Sequence, residues 1–278
     1  MPLLMLDLDN TLVDRDAAFR EAASAFLAGH RLPVDDLAWL MSVDGSGYTP
    51  RDEVGRAMAA RYGRAVPAAS VRDFLDRGAA DRVVLAEAVR AALVGAVDAG
   101  WTCVIVTNGR VGQQETKIRR TGLDRIVHGW VISEAAGCRK PAPEIFRAAA
   151  AVAGPSLDGP SRDGVFRNGT PLDGTSPDEA SPNGAWLNAT SPAEAPLDGP
   201  SRDGTSPEQA SLHGAWLIGD SPHADIGGAS ALDGVRSVWV SAGRPWTDTT
   251  YRPTHITADT ASALTYVVEH PGDTTGHY

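Results

Sequence analysis

The apolar residues of the chain form short continuous runs, and from residue 83 onward these runs alternate with longer amphipathic stretches. An apolar run predicts a buried strand, and an amphipathic stretch with helical spacing predicts a helix. The first run, residues 2–8, ends in acidic residues and predicts a strand with carboxylates at its end. The other predicted strands are residues 103–106, 129–132, 215–218 and 237–240, and the predicted helices beside them are residues 83–99, 113–120, 143–153, 224–231 and 261–270.

A different pattern fills residues 15–80, where helical periodicity is interrupted only by glycine and proline signals. The predicted helices in this segment are residues 17–28, 35–41, 51–62 and 70–77. Strands that alternate with helices are typical of a parallel sheet covered by helices, and open sheets of this kind bind ligands at the carboxyl ends of their strands. We therefore predict an α/β fold: a Rossmann-like parallel sheet core with helices on both faces, formed by residues 1–14 and 81–278, plus an inserted α-helical cap domain, residues 15–80.

The segment 154–213 interrupts the α/β pattern. It contains 17 glycines and prolines in 60 residues, and the octapeptide LDGPSRDG occurs in it twice, beginning at Leu157 and at Leu197. A composition so rich in glycine and proline is typical of disordered chains. We expect a low-complexity repetitive insertion that the core fold does not need.

Charge and composition exclude several classes of function. The net charge is -10 and the isoelectric point is near 5.1, which argues against nucleic acid or an anionic membrane as the main partner. No apolar run approaches the roughly 18 residues that span a bilayer, and the first residues do not resemble a signal peptide. Cys103 and Cys138 are too few for a disulfide framework, so we expect a cytoplasmic protein.

Two acids follow the first predicted strand. Asp7 and Asp9 are two positions apart, and the alternation of side chains along a strand places them on the same side. A pair of carboxylates can divide phosphoryl transfer between them, because one can attack phosphorus while the other exchanges a proton with the leaving oxygen and with water. Both would repel a dianionic phosphate, so such a site requires cations.

Three further polar segments follow predicted strands or precede a helix. The second predicted strand ends in a hydroxyl, an amide and a glycine, which can hold phosphate oxygens. A lysine before the helix at residue 143 can neutralise negative charge, and two aspartates after the strand at 215–218 offer the hard oxygen ligands that suit Mg²⁺. These residues are Thr107, Asn108, Gly109, Lys140, Asp220 and Asp225.

Together, the segments DLDNTLVD, VTNG, RKPAP and GDSPHAD resemble, in order, the four motifs of the haloacid dehalogenase-like (HAD) superfamily, in its phosphoglycolate phosphatase-like branch with a helical cap between the first and second motifs. The resemblance covers residues 1–153 and 214–258. It implies that Asp7 is the nucleophile, that Asp9 is the general acid/base, and that Lys140 neutralises the nucleophile and the phosphate. It also implies a phosphate site at Thr107, Asn108, Gly109 and Lys140, and a Mg²⁺ site at Asp7, the backbone carbonyl of Asp9, Asp220 and Asp225.

The resemblance implies a Mg²⁺-dependent phosphatase that hydrolyses a small phosphorylated metabolite through an aspartyl-phosphate on Asp7. Asp9 favours phosphate transfer over dehalogenation, because dehalogenases resemble this pattern but lack the second acid. A phosphomutase of the same superfamily and a catalytically idle binding protein remain alternatives. The cap loop 43–50 and the arginines Arg51, Arg56, Arg61 and Arg64 are candidates for substrate contact, although charged side chains on a helix surface are common. Phosphoglycolate, a nucleoside monophosphate and a sugar phosphate all remain open as substrates.

Overall fold

The computed structural model describes residues 1–154 and 212–271, so the predicted insertion at 154–213 lies outside the described residues except at its two ends. In the described part of the chain, six strands form one parallel sheet with the order β3-β2-β1-β4-β5-β6. The strands are β1 (Leu3–Leu6), β2 (Thr102–Thr107), β3 (Gly129–Ile132), β4 (Trp216–Gly219), β5 (Arg236–Val240) and β6 (His255–Thr257).

The central strands are apolar on both faces, as expected of a parallel sheet that helices cover on both sides. Along β1, Leu4 and Leu6 point to one apolar cluster, whereas Leu3 and Met5 point to the other. The first cluster is covered by helices α5 (Glu87–Asp98), α6 (Val111–Arg120) and α10 (Thr260–Glu269), and the second by α8 (Pro143–Val152) with the short helix α9 (Gly228–Ser230). The predicted Rossmann-like core with helices on both faces is confirmed.

Of the five α-helices between β1 and β2, the first four form the inserted helical cap, as the pattern predicted, and α5 covers the sheet. The four cap helices are α1 (Arg15–Gly29), α2 (Asp36–Asp44), α3 (Arg51–Tyr62) and α4 (Ala68–Arg77). Asp14 caps the amino end of α1, because its carboxylate accepts a hydrogen bond from the backbone N–H of Ala17. Along α1, Phe19 packs into the core cluster, whereas Phe26 belongs to a separate apolar cluster of the cap. This helix therefore joins the cap to the sheet.

Four elements differ from the sequence prediction. The edge strand β6 was not predicted, because its three residues are only partly buried or exposed and form no apolar run. Helix α5 begins at Glu87 rather than at residue 83, and residues 83–86 form no helix. The helix predicted at 224–231 is a π-helical turn, Pro222–Gly227, followed by α9, and the four-residue helix α7 (Ser133–Ala136) was also missed. Within the described ranges, no helix has the length and apolar character needed to cross a membrane.

The described ends of the insertion lie at the amino edge of the sheet, because α8 ends beside Gly129, the first residue of β3, and residues 212–215 lead into the start of β4. Ala153 and Leu212 pack against the same apolar cluster, and the chain then enters β4 at its amino end.

We predict that deleting residues 154–204 changes Tm by less than about 3 °C and turnover by less than about twofold, since loop length has a weak effect on stability. Thermal unfolding and steady-state kinetics of the deletion variant check this. A deletion variant that keeps its circular dichroism spectrum but loses turnover would contradict it.

Candidate active site

The sequence motifs meet at the carboxyl edge of the sheet, because neighbouring parallel strands end at the same level. Leu6 of β1 is paired with Ile105 of β2 and with Ile218 of β4. The backbone N–H of Asp7 continues this pairing with a 2.9 Å hydrogen bond to the carbonyl of Ile218. Asp7 and Asp220 therefore leave adjacent strands side by side.

Three buried carboxylates form a cluster at this edge. One oxygen each from Asp7, Asp220 and Asp225 lies within 4.8 Å of the others. Asp225 reaches the cluster from the turn after β4, where one of its oxygens accepts a 3.0 Å hydrogen bond from the backbone N–H of Ser221. Its carboxylate lies where a side chain on Gly219 would have to be, since a Cβ there would stand 2.3 Å from Asp225 Oδ2. The glycine of the GDSPHAD segment thus makes room for the second aspartate.

Lys140 joins two of these carboxylates. Its Nζ lies 2.6 Å from Asp7 Oδ1 and 2.7 Å from Asp225 Oδ1, and the side chain is buried. The side chain of Asn108 holds the backbone of the lysine from both sides, because it accepts a hydrogen bond from the N–H of Lys140 at 2.9 Å and donates one to its carbonyl at 3.1 Å. The amide that was predicted to bind phosphate therefore positions the lysine in this structure.

The other two residues of the predicted phosphate loop have partners as well. Thr107 Oγ1 accepts a 2.6 Å hydrogen bond from the side chain of Gln114, and the backbone N–H of Gly109 donates to Ser133 Oγ at 3.0 Å. The hydroxyl of Thr107 still has a proton to donate. A contact between substrate phosphate and Thr107, Asn108 or Gly109 remains a prediction.

The carboxylate cluster has a surplus of negative charge. Burial raises the pKa of Asp7 to about 8, with a further contribution from Asp225 and Asp220 and an opposing one from Lys140. Burial and the neighbouring Asp225 raise the pKa of Asp220 to about 7. Three carboxylates face two cations, the buried Lys140 ammonium and the partly exposed Arg244 guanidinium, so one negative charge is uncompensated, and all three carboxylates offer hard oxygen ligands. This donor set fits a hard divalent cation such as Mg²⁺, and the identity of the ion and the predicted ligand role of the Asp9 carbonyl remain predictions.

Asp9 lies beside this cluster but has different partners. Both oxygens of its carboxylate lie 2.7 Å from Lys117 Nζ, and one accepts a 3.0 Å hydrogen bond from the side chain of Gln114. Burial alone would raise the pKa of Asp9, but the Lys117 ammonium, the hydrogen bond from Gln114 and the charge of Arg15 together outweigh burial and lower this pKa below its usual value. The two acids predicted from the first motif therefore occupy distinct electrostatic surroundings.

Sequence reasoning did not single out Lys117 and Gln114. They are one turn apart on α6, on the side that packs against the core together with Ile118. A lysine and a glutamine at buried positions of an amphipathic helix are the signal that could have found them, because such residues are rarely buried without a partner.

Arg244 was also missed by sequence reasoning. Its guanidinium donates hydrogen bonds to the backbone carbonyl of Asp220 at 2.9 Å and to its carboxylate at 3.2 Å.

The predicted cap loop 43–50 is held next to the site by a buried ion-pair network. Asp44 binds the guanidinium of Arg15 through both oxygens, and it also contacts Arg51 at 3.1 Å. Tyr48 in the same loop has a largely exposed ring, but burial of its hydroxyl and the nearby Asp220 raise its pKa to about 12. Arg51 thus belongs to the site region of the cap.

Two of the other predicted cap arginines have partners in the cap itself. Arg56 pairs with Asp52 on the exposed side of α3, and Arg61 pairs with Asp36. The Arg56 pair is that of an ordinary surface helix, whereas Asp36 is buried and its pair with Arg61 joins α2 to α3. His223 is exposed beside Tyr251, with 3.3 Å between its Nδ1 and the tyrosine hydroxyl oxygen.

The raised pKa values of Asp7 and Asp220 predict a coupling between pH and Mg²⁺. In the metal-free protein these carboxyls bind more protons when folded than when unfolded, so they lower the free energy of unfolding as pH rises from their ordinary 3.8 toward about 8. Mg²⁺ binds the ionised carboxylates, so its stabilisation increases over the same range. Thermal unfolding at about pH 6 and about pH 8, with EDTA or with MgCl₂, measures both effects.

Removal of one carboxylate separates these effects. We expect Asp220→Asn to raise the metal-free Tm at high pH by about 2–4 °C, roughly 1 kcal/mol, and to abolish most of the stabilisation by Mg²⁺. Asp233→Asn removes the same charge from an exposed position and serves as the control. A metal-free Asp220→Asn protein that is less stable than the wild type at high pH would refute the charge-repulsion argument.

Comparison with known proteins identifies the family. A family model described as haloacid dehalogenase-like hydrolase matches residues 1–161, and no curated protein matches the chain. Among solved structures, the magnesium-bound HAD-hydrolase YfnB from Bacillus subtilis is similar at a TM-score of 0.63 and 19% identity, covering 96% of this chain and 98% of that chain. A HAD phosphatase from Thermococcus onnurineus has a TM-score of 0.54 and 13% identity, with coverage of 96% and 98%. A 2-haloacid dehalogenase from Pseudomonas syringae pv. tomato has a TM-score of 0.53 and 19% identity, with coverage of 97% and 99%.

These structures support the fold, and the phosphoglycolate phosphatase-like branch remains a prediction. The family match ends before Asp220 and Asp225, so these two aspartates are supported by their position next to Asp7 rather than by the match. The matched residues make up more than half of the chain and include Asp7, Asp9 and Lys140. The chain therefore belongs to the haloacid dehalogenase-like hydrolase family.

Proposed function

We propose that the protein is a Mg²⁺-dependent phosphatase that hydrolyses a small phosphate ester through an aspartyl-phosphate on Asp7. One observation carries this proposal: the two acids of the first motif have separate partners. Asp7 belongs to the buried carboxylate cluster with Lys140, whereas Asp9 is held by Lys117 and Gln114. A nucleophile and a proton carrier require this kind of separation.

The proposed reaction uses the two acids in turn. Asp9 takes up a proton when the negatively charged ester binds, because this charge opposes the effect of Lys117 on the pKa of Asp9. A carboxylate oxygen of Asp7 then attacks phosphorus, the bond from phosphorus to the ester oxygen breaks, and Asp9 gives its proton to the departing oxygen. In the second half, Asp9 takes a proton from a water molecule, the water oxygen attacks phosphorus, and the bond to Asp7 breaks to release phosphate. Lys140 offsets negative charge on Asp7 throughout, at a contact of 2.6 Å.

The metal would be held by Asp7, Asp220 and Asp225, with the backbone carbonyl of Asp9 as a further oxygen ligand. When bound, Mg²⁺ would screen the negative charge of the site and orient the phosphate. Arg244 and Trp239 support this role by binding the backbone carbonyl of Asp220 at 2.9 and 2.8 Å, which limits the movement of its side chain.

Asp9 also argues against dehalogenation, although dehalogenases are among the structural neighbours. A halide leaves as an anion and takes no proton, so a dehalogenase has no use for a second acid next to the nucleophile. An alkoxide is a much poorer leaving group, and proton donation to it is typically worth about 10²–10⁴ in rate.

A panel of phosphorylated metabolites, assayed for inorganic phosphate with MgCl₂ or EDTA, tests the proposed function. We expect Mg²⁺-dependent phosphate release by the wild type, and a loss of at least about 10³-fold in Asp7→Asn, because the nucleophile is removed. Asp233→Asn, which changes an exposed aspartate in the same way, should keep wild-type turnover.

Other results would favour the alternatives. Phosphoryl transfer between sugar positions without release of inorganic phosphate would indicate a phosphomutase. A folded wild type that binds Mg²⁺ but releases phosphate from no ester would indicate a binding protein. Full turnover in a folded Asp7→Asn protein would exclude the covalent mechanism.

A further inference from the structure

Lys117 is a buried cation that the four motifs leave unexplained. Its side chain is 5% exposed, and its Nζ contacts both oxygens of Asp9, a residue 108 positions away in the chain. A buried lysine loses the hydration of its charge, and this cost is offset only by close partners. Burial lowers the pKa of Lys117, whereas Asp9 opposes this effect, so the two charges depend on each other.

Gln114 extends this contact to the second motif. Its side-chain nitrogen lies 3.0 Å from Asp9 Oδ2, 2.6 Å from Thr107 Oγ1 and 3.2 Å from the backbone carbonyl of Asn108. Gly109 makes this position available, because a Cβ there would lie 2.9 Å from the side chain of Gln114. Two side chains of α6, one turn apart, therefore connect Asp9 to the end of β2.

The contacts explain why Asp9 stands apart from the other acids. The carboxylate cluster contains Asp7, Asp220 and Asp225 but not Asp9, although Asp9 is only two residues from Asp7. With both oxygens bound by Lys117 and one also by Gln114, the Asp9 carboxylate has a defined orientation. A carboxylate without these partners could rotate toward the metal ligands, where it would serve as another ligand rather than as a proton carrier.

We propose that Lys117 is a positioning residue that, with Gln114, holds the Asp9 carboxylate in the orientation for proton transfer at the leaving oxygen. This inference rests on the proposed phosphatase function. A purely structural ion pair between α6 and the first motif is the competing explanation. The two explanations predict different effects of substituting Lys117. If Lys117 positions Asp9, the loss of rate is larger for substrates whose leaving oxygen needs a proton. If the ion pair is only structural, the loss is the same for all substrates.

Two aryl phosphates of almost the same shape distinguish these explanations. Phenyl phosphate releases a basic oxygen that benefits from a proton, whereas p-nitrophenyl phosphate releases a stabilised phenolate that needs little help. We expect Lys117→Met to lower kcat/KM for phenyl phosphate about tenfold or more, and for p-nitrophenyl phosphate by less than about threefold. The ratio kcat/KM is the proper measure, because it reports transfer to Asp7 and not the hydrolysis step that both substrates share.

The matched control is Arg120→Met, which removes a positive charge from an exposed position of the same helix. We expect it to leave both values of kcat/KM at the wild-type level. In the background of Asp9→Asn, Lys117→Met should cause no further loss with phenyl phosphate, since Lys117 acts through Asp9. A crystal structure of Lys117→Met should show the Asp9 carboxylate in a changed orientation, with Asp7 and Lys140 in place.

Equal losses with the two aryl phosphates would overturn the inference, and so would an additive loss in the double variant. An Asp9 carboxylate that keeps its orientation in Lys117→Met would also overturn it. A wild type inactive on both aryl phosphates and on every ester of the metabolite panel would contradict the proposed phosphatase function itself. An active wild type with equal losses in Lys117→Met would remove only the role assigned to Lys117.

Discussion

The repulsion among three buried carboxylates is the constraint on which the organisation of the site depends. Asp7, Asp220 and Asp225 lie within 4.8 Å of one another at their nearest oxygens, and only two cations contact them, the buried Lys140 and the partly exposed Arg244. Such an arrangement is unfavourable without a further cation, because burial and mutual repulsion both oppose ionisation. The surrounding groups hold the carboxylates in place despite this cost. They include the Asn108 amide on the Lys140 backbone, the Ser221 N–H on Asp225, and Arg244 and Trp239 on Asp220.

The fold makes this concentration of charge possible. Parallel pairing of β1 with β2 and β4 brings residues from distant parts of the chain to one edge of the sheet, and the helices on both faces exclude water from the strands beneath. The cap enters between β1 and β2 and carries a second charge network, in which Asp44 binds Arg15 and Arg51. Helix α1 contributes residues to the apolar cluster on one face of the sheet and to the apolar cluster of the cap. The position of the cap is therefore fixed relative to the end of the first motif.

The structural neighbours show how much chemistry this arrangement supports. Proteins described as phosphatases and as dehalogenases match almost the whole chain at 13–19% identity. A shared fold therefore does not decide the reaction, and the residues around the nucleophile must do so. Under the proposed function, the group that distinguishes this chain from a dehalogenase is the second acid, Asp9, with its partners Lys117 and Gln114 on α6.

The sequence alone was enough to determine the parallel sheet, the helical segment between the first two strands, and the aspartates and lysine that meet at the carboxyl edge. These features depend on local patterns, namely apolar runs that form strands and polar residues placed directly after them. The edge strand β6 escaped prediction because it has no apolar run, and the region predicted as a helix at 224–231 begins as a π-helical turn.

Only the tertiary structure decided the partners of each charged group. Asn108 binds the Lys140 backbone, and Lys117 binds both oxygens of Asp9, although the two residues of each pair are far apart in the chain. Gly219 leaves room for Asp225, which is close to it in the chain. No local pattern reports which buried lysine will face which carboxylate, because that depends on how α6 and the loop of Lys140 pack against the strand ends. The sequence therefore determined which chemical groups are present, and packing determined how they are paired.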